Sequence, residues 1–163
     1  MTDAPRRRLA WAIRTASHDI CDPPDIRFAP TRAKARASIV ADMRDTWNCT
    51  WIEAARGVTS IRRAPKHDVT LPPRHHLAQI LRPAIVDIVV HAYGGRGLKA
   101  GYRDYFFTNQ DDADLRALVD AGLFRVGQKY PRAFDPDQVM AYFHLTDLGR
   151  LVAAGEQPEY PDV

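Results

Sequence analysis

Cysteine is scarce in this chain, with Cys21 and Cys49 the only two in 163 residues. They lie far apart and form no CxxC pair, which argues against a disulfide framework and a thiolate metal knuckle and favours a reduced interior. Long apolar runs are also missing, and the longest is far short of a membrane span. The opening MTDAPRRRLAWAIR is basic but has no extended apolar core and no small-residue cleavage site, so no export signal is expected. Nucleotide and hydrolase signatures are missing too. There is no Walker loop and no GxSxG, and GGRG at Gly94–Gly97 is too short for a dinucleotide fingerprint.

What is present is a foldable composition, 45% hydrophobic and 26% charged, at a length that suits one compact domain or two small lobes. Charge is divided. Residues 1–66 hold 13 Lys and Arg against 7 Asp and Glu, whereas residues 67–163 hold 10 against 13. A basic first part and an acidic second part suggest two surfaces with different partners.

Periodicity supplies the elements. Leu9, Ala12, Ile13 and Ala16 fall at helical spacing and predict a helix over 6–19, stopped by Pro23-Pro24. DIRFAP alternates as a short strand. Thr31 caps TRAKARASIVADMRDTW, whose Ala35, Ile39, Met43 and Trp47 define an apolar stripe. CTWIEAA reads as a strand, Gly57 as a turn, and VTSIRRA as a returning strand. The expected first lobe, 1–66, is thus of β-α-β type with an added hairpin edge. A proline-rich connection follows over 67–82. In LRPAIVDIVVHAYGG, Pro83 suits a first helical turn and Gly94-Gly95 a stop, although the β-branched IVDIVV also permits a central strand.

The last third is the most informative. GRGLKAGYRDYFFTN reads as an aromatic loop. Asn109 or Asp112 caps a helix carrying Leu115, Leu118, Val119 and Leu123, and Gly122 ends it. Phe124 and Val126 open a hairpin with its tip at 127–138, and MAYFHL returns. Thr146 caps a closing helix with Leu148, Leu151 and Val152 inside and Gly155 at its stop, and 156–163 is a frayed tail. Helix, ribbon and helix over 109–155 read as the back half of a winged-helix module, within a winged-helix-like lobe over 83–155. The expected fold is α+β: a small β-α-β lobe followed by a degenerate winged-helix lobe.

FAPTRAKAR, HAYGGRGLKAGYRDYFFT and LVDAGLF followed by YFHLTDLGR are the words that matter together. In them the chain resembles small proteins encoded by bacteriophages and prophages, over roughly residues 25–155. That group has no assigned activity. The resemblance therefore implies a phage or prophage origin, a bacterial cytoplasm as location and the two-lobe layout, and transfers no catalytic residue. LVDAGLF with FHLTDLGR is also similar to winged-helix regulators in general.

Candidate sites follow from charge. Arg32, Lys34 and Arg36 crowd the positive end of their helix behind Thr31, a conflict that a bound phosphate would relieve. Arg62, Arg63 and Lys66 extend that patch if the following strand lies alongside. Lys129 and Arg132 in the wing could touch a phosphate backbone. Trp47 and Trp51 are read as core residues rather than stacking platforms. The helix that would read a DNA groove carries Asp111, Asp112, Asp114 and Asp120 against Arg116 alone. Those acids suit its dipole but repel DNA. On a regular element His75-His76 are expected to point different ways, and Asp87 and His91 are expected to pair on one helical face, so no metal site, no cofactor and no catalysis are expected. The leading expectation is a non-enzymatic accessory protein binding nucleic acid through its basic lobe. The alternatives are an anti-CRISPR-like inhibitor of a host defence nuclease complex, its acidic helix mimicking phosphates, and a virion or packaging component. No membrane partner is expected, and the oligomeric state stays open, a dimer included.

Overall fold

The computed structural model describes residues 6–18, 21–97, 100–132 and 135–160, and the chain has an α+β fold. It divides into two compact units between Leu71 and Pro72, each with its own core.

In the first unit β1 (Arg7–Arg8) is followed by β2 (Ala10–Thr15) and β3 (Asp25–Phe28). Then come α1 (Arg32–Trp47), α2 (Trp51–Gly57), β4 (Val58–Arg63), a 3-10 turn at Pro65–His67, and β5 (Val69–Thr70). The main sheet has the order β3-β2-β4, with β2 antiparallel to both neighbours, and β1 pairs with β5. Two expectations are overturned. Residues 7–8 and 10–15 lie in strands, because Arg7–Arg8 pair with Thr70–Val69, Ala10–Ile13 with Phe28–Asp25 and Trp11–Thr15 with Arg63–Val58. These ladders satisfy the backbone from both sides and override a helical spacing that rested largely on small residues. CTWIEAA holds α2, not a strand. Its start is fixed by a capping box in which Thr50 Oγ1 accepts from Glu53 N at 3.3 Å and Glu53 accepts from Thr50 N at 2.8 Å.

Ile13 and Ile61 face each other on adjacent strands and pack on Ala35, Ile39, Val40 and Met43 of α1. The expected stripe therefore holds except at its end. Trp47 is 51% exposed and Trp51 49%, so neither tryptophan is a core residue. Asp68 ties the unit's far edge together. Its carboxylate accepts from Ala10 N at 2.8 Å and from both terminal nitrogens of Arg63 at 2.9 and 2.8 Å, with Arg7 at 3.6 Å. The Arg63 hydrogen bonds, then the Ala10 amide, hold its pKa down at about 2.

The second unit runs α3 (His76–Ile80), α4 (Pro83–Ala92), β6 (Tyr105–Asn109), α5 (Ala113–Asp120), β7 (Phe124–Arg132), β8 (Asp135–Leu145) and α6 (Asp147–Gly155). Pro83 opens α4 as a helix, and Gly94 and Gly95 follow it at φ of 103° and 81°. The expected aromatic loop is instead a strand at Tyr105–Asn109, paired along its whole length with β8 in a sheet of order β6-β8-β7. The hairpin strands also continue through most of the segment expected as the tip, to Arg132 and from Asp135. Ala141, Phe143 and Leu145 of β8 turn inward onto Ile85, Val89, Leu115, Leu118, Leu123 and Val152. Each large side chain buried there contributes roughly 1.5–3 kcal/mol.

Helix ends here follow local chemistry. Asp112 accepts from Asp114 N and Leu115 N, and Asn109 Oδ1 accepts from Asp111 N. Thr146 accepts from Gly149 N and donates to Gly122 O at 2.6 Å, joining the start of α6 to the turn after α5. Leu151, expected inside, is 56% exposed, so the buried face of α6 is carried by Val152 and Ala153. The tail is not frayed at its start. Gln157 is buried, donates to Gly95 O and Ala153 O, and accepts from Gly97 N. Asp87 pairs with Arg96 at 2.7 Å and His91 packs its ring edge on Phe106, so the expected Asp87–His91 pair is replaced by two separate contacts.

Asp68 carries a pH signature. Its folded pKa lies below the ordinary 3.8, so its contribution is complete above that value and is lost as pH falls through about 2. Asp68→Asn should lower the urea midpoint at pH 7. The gap to wild type should persist at pH 5 and close towards pH 2 in parallel titrations. A gap unchanged down to pH 2 would contradict the assignment.

Candidate nucleic-acid interface

Thr31, Arg32, Lys34 and Arg36 stand at the start of α1, whose first turn holds no acid. Thr31 Oγ1 accepts from Lys34 N at 3.2 Å and its carbonyl accepts from Ala35 N. Arg32 and Lys34 make no ion pair among the described residues. Arg36 is partly engaged, since its Nη2 donates to Ala55 O at 2.9 Å near the end of α2. Arg32, Ala33 and Arg36 form one wall of an open groove of about 500 Å³ whose other wall is Val58–Ile61 of β4. Two guanidinium groups and the amide end of a helix thus border one space, a donor-rich setting for an anion, while the Thr59 hydroxyl on the other wall donates to Arg14 O at 3.1 Å.

The proposed extension of this patch along β4 is corrected. Arg63 is held by Asp68, donates closely to Ala10 O, and lies 5.4 Å over the Trp11 ring. Ile61 turns toward α1, so strand alternation sends its neighbour Arg62 to the opposite side of the sheet from Arg32 and Arg36. Lys66 sits exposed in the 3-10 turn. Lys129 and Arg132 are strand residues of β7 rather than loop residues, and Arg132 is engaged with Gln138.

The acids of the second unit are mostly occupied. Asp112 caps α5, Asp114 pairs with Arg82 at 3.1 Å, and Asp111 lies 3.6 Å from Arg116. No group of three or more His, Cys, Asp or Glu among the described residues is arranged to hold a metal. None of the helices among those residues is long and apolar enough to cross a membrane.

The sequence reading missed the outward face of β6, β8 and β7. Pairing sets Tyr105 opposite His144 and Phe107 opposite Tyr142, with Tyr130 beside Met140. The rings touch in series. Centroids lie 5.3 Å apart for Tyr105–Tyr142, 4.6 Å for Phe107–Tyr142, 5.9 Å for Tyr130–Tyr142 and 6.1 Å for Tyr142–His144. Arg103 lies 4.5 Å over the Tyr105 ring and Arg125 stands opposite His144. The available signal was the run of three consecutive rings in each of YFFTN and AYFHL, the first and third of which a strand places on one face.

His144 lies over Gly127. A Cβ at Gly127 would meet the His144 ring at 2.6 and 2.8 Å and the Tyr142 carbonyl at 3.2 Å. The His144 Nδ1 is shielded from solvent without a hydrogen bond, 3.7 Å from Asp104, whose other oxygen takes Arg150 at 2.9 Å.

Comparisons with protein families, with curated proteins and with solved structures give no match for this chain.

Gly127→Ala should displace the His144 ring and cost about 1–3 kcal/mol. Nuclear Overhauser contacts from His144 to Tyr105 and Tyr142 should weaken with a lowered melting point. Unchanged contacts would show that the glycine is not what seats the ring.

Proposed function

We propose that this chain is a non-enzymatic accessory protein of phage or prophage origin that binds nucleic acid by its phosphates. The observation that carries this reading is the groove between Arg32 and Arg36 at the amide end of α1 and the β4 segment Val58–Ile61. A phosphate there would lift the repulsion among Arg32, Lys34 and Arg36 and take up the first-turn donors that Thr31 leaves open. The hydrogen bond from Arg36 to Ala55 O uses one donor of that guanidinium and orients the rest.

The second unit is read as a degenerate winged helix acting as scaffold. The order α4, β6, α5, β7, β8, α6 and the long β7–β8 ribbon support that reading. Only Gln110–Asp112 separate β6 from α5, so a helix of the usual reading pair is missing. An inhibitory role for an acidic helix draws less support, because Asp111, Asp112 and Asp114 serve capping and ion pairs and only Asp120 stands apart among the described residues.

Duplex DNA isolates the phosphate contribution. Three contacts, from Arg32, Lys34 and Arg36, predict a duplex affinity that falls roughly 40-fold between 50 and 200 mM salt. Arg32→Gln should reduce the slope of log affinity against log salt by about one. Duplex binding that ignores salt, or its absence at 50 mM, would contradict the proposal.

A further inference from the structure

We infer that the outward face of the β6-β8-β7 sheet is a stacking platform for the unpaired bases of a single-stranded nucleic acid. The inference stands apart from the groove of the first unit, and each can fail without the other.

The core does not explain these rings. Ala141, Phe143 and Leu145 of β8 already fill the inner side, packed against α4, α5 and α6. Tyr105, Phe107 and Tyr130 nevertheless stay 37–40% exposed on the other side, where they surround Tyr142. A contiguous aromatic patch left in water marks a binding surface more often than scattered single rings do. The rings are also fixed in place. Each stands on a strand whose backbone is paired, and Phe107 and Tyr142 are direct cross-strand partners. A ligand meeting them has little side-chain ordering to overcome.

Charge selects the occupant. Arg103 lies against Tyr105 and Arg125 pairs across from His144 on the ring side, whereas Lys129, opposite the inward Ala141, and Arg132, opposite Asp135, do not border the rings. The carboxylate at the platform's end, Asp104, is matched by Arg150. Rings bordered by cations suit a ligand that presents flat π-faces on a polyanionic backbone, which describes a nucleic-acid strand. An apolar protein surface would gain nothing from that cationic border. Bases in a duplex are already stacked on each other and cannot lie on a sheet, so the ligand is unpaired. The platform offers rings to bases and cations to phosphates but nothing dedicated to the sugar, so ribose and deoxyribose strands should serve alike.

The test uses the full chain and fluorescence anisotropy with labelled oligothymidylate and oligouridylate of about 12 nucleotides, and a blunt duplex of equal length. Both single strands should bind within about threefold of each other and about tenfold or more tighter than the duplex. Tyr142→Leu should weaken single-strand binding roughly tenfold, while Tyr142→Phe, which keeps the ring, should stay near wild type. Should Tyr142→Leu fail to fold, Phe107→Leu on the edge strand takes its place. Arg32→Gln should affect the single strand less than Tyr142→Leu, which separates the platform from the groove. The inference is overturned if ring variants bind single strands as wild type does, if the duplex binds as tightly, or if no single strand binds. A wild-type dimer that Tyr142→Leu dissociates, without oligonucleotide binding, would assign the face to a second copy of the chain and overturn it equally.

Discussion

The register of β8 at the centre of its sheet governs the second unit. It is hydrogen-bonded on both sides, to β6 and to β7, so its side chains have only two directions to take. Ala141, Phe143 and Leu145 go inward with almost no exposure. Met140, Tyr142 and His144 go outward. A slip of one residue would drive Tyr142 and His144 into the core and Phe143 into water, so core burial fixes the register and the register fixes the outer face. Thr146 reinforces this by joining the end of β8 to the turn after α5 and to the first turn of α6. Gly127 permits the same register on β7, where any side chain would displace His144.

The first unit follows a related plan with a polar clasp. Its central strand β2 presents Ile13 to α1, while its far edge is held by Asp68 between Arg63 and the Ala10 amide. That clasp consumes a guanidinium that charge counting alone would offer to a ligand. What stays available is the start of α1, where the capping residue Thr31 satisfies one amide and leaves the basic side chains without acids in the same turn.

Local signals carried the legible part of the fold. Thr31, Asp112 and Thr146 cap helices as their residue types suggest, and Pro83 starts α4 despite its β-branched content, because the end signals outweighed propensity. Non-local pairing carried the rest. Ala10–Thr15 fits a helical pattern as well as a strand and is decided by partners far along the chain. α2 is legible in Thr50 and Glu53, which spell a capping box that the strand reading of CTWIEAA leaves out. Arg63 lost its role to Asp68, a contact invisible to charge counting. The outer rings were visible as ring runs within YFFTN and AYFHL, yet only the pairing of β6 with β8 makes them one surface.

The account thus joins a phosphate-seeking groove on one unit to a base-stacking sheet on the other, both derived from where strand alternation leaves side chains. Its most direct measurement is a chemical-shift map of the full chain titrated with a short oligothymidylate. The account predicts shifts in the ring resonances of Tyr105, Phe107, Tyr130 and Tyr142 and in the β7 amides, with the methyl groups of Leu118 and Leu123 unmoved. Shifts that bypass those rings, or saturating strand that moves nothing on β6, β7 and β8, would contradict it.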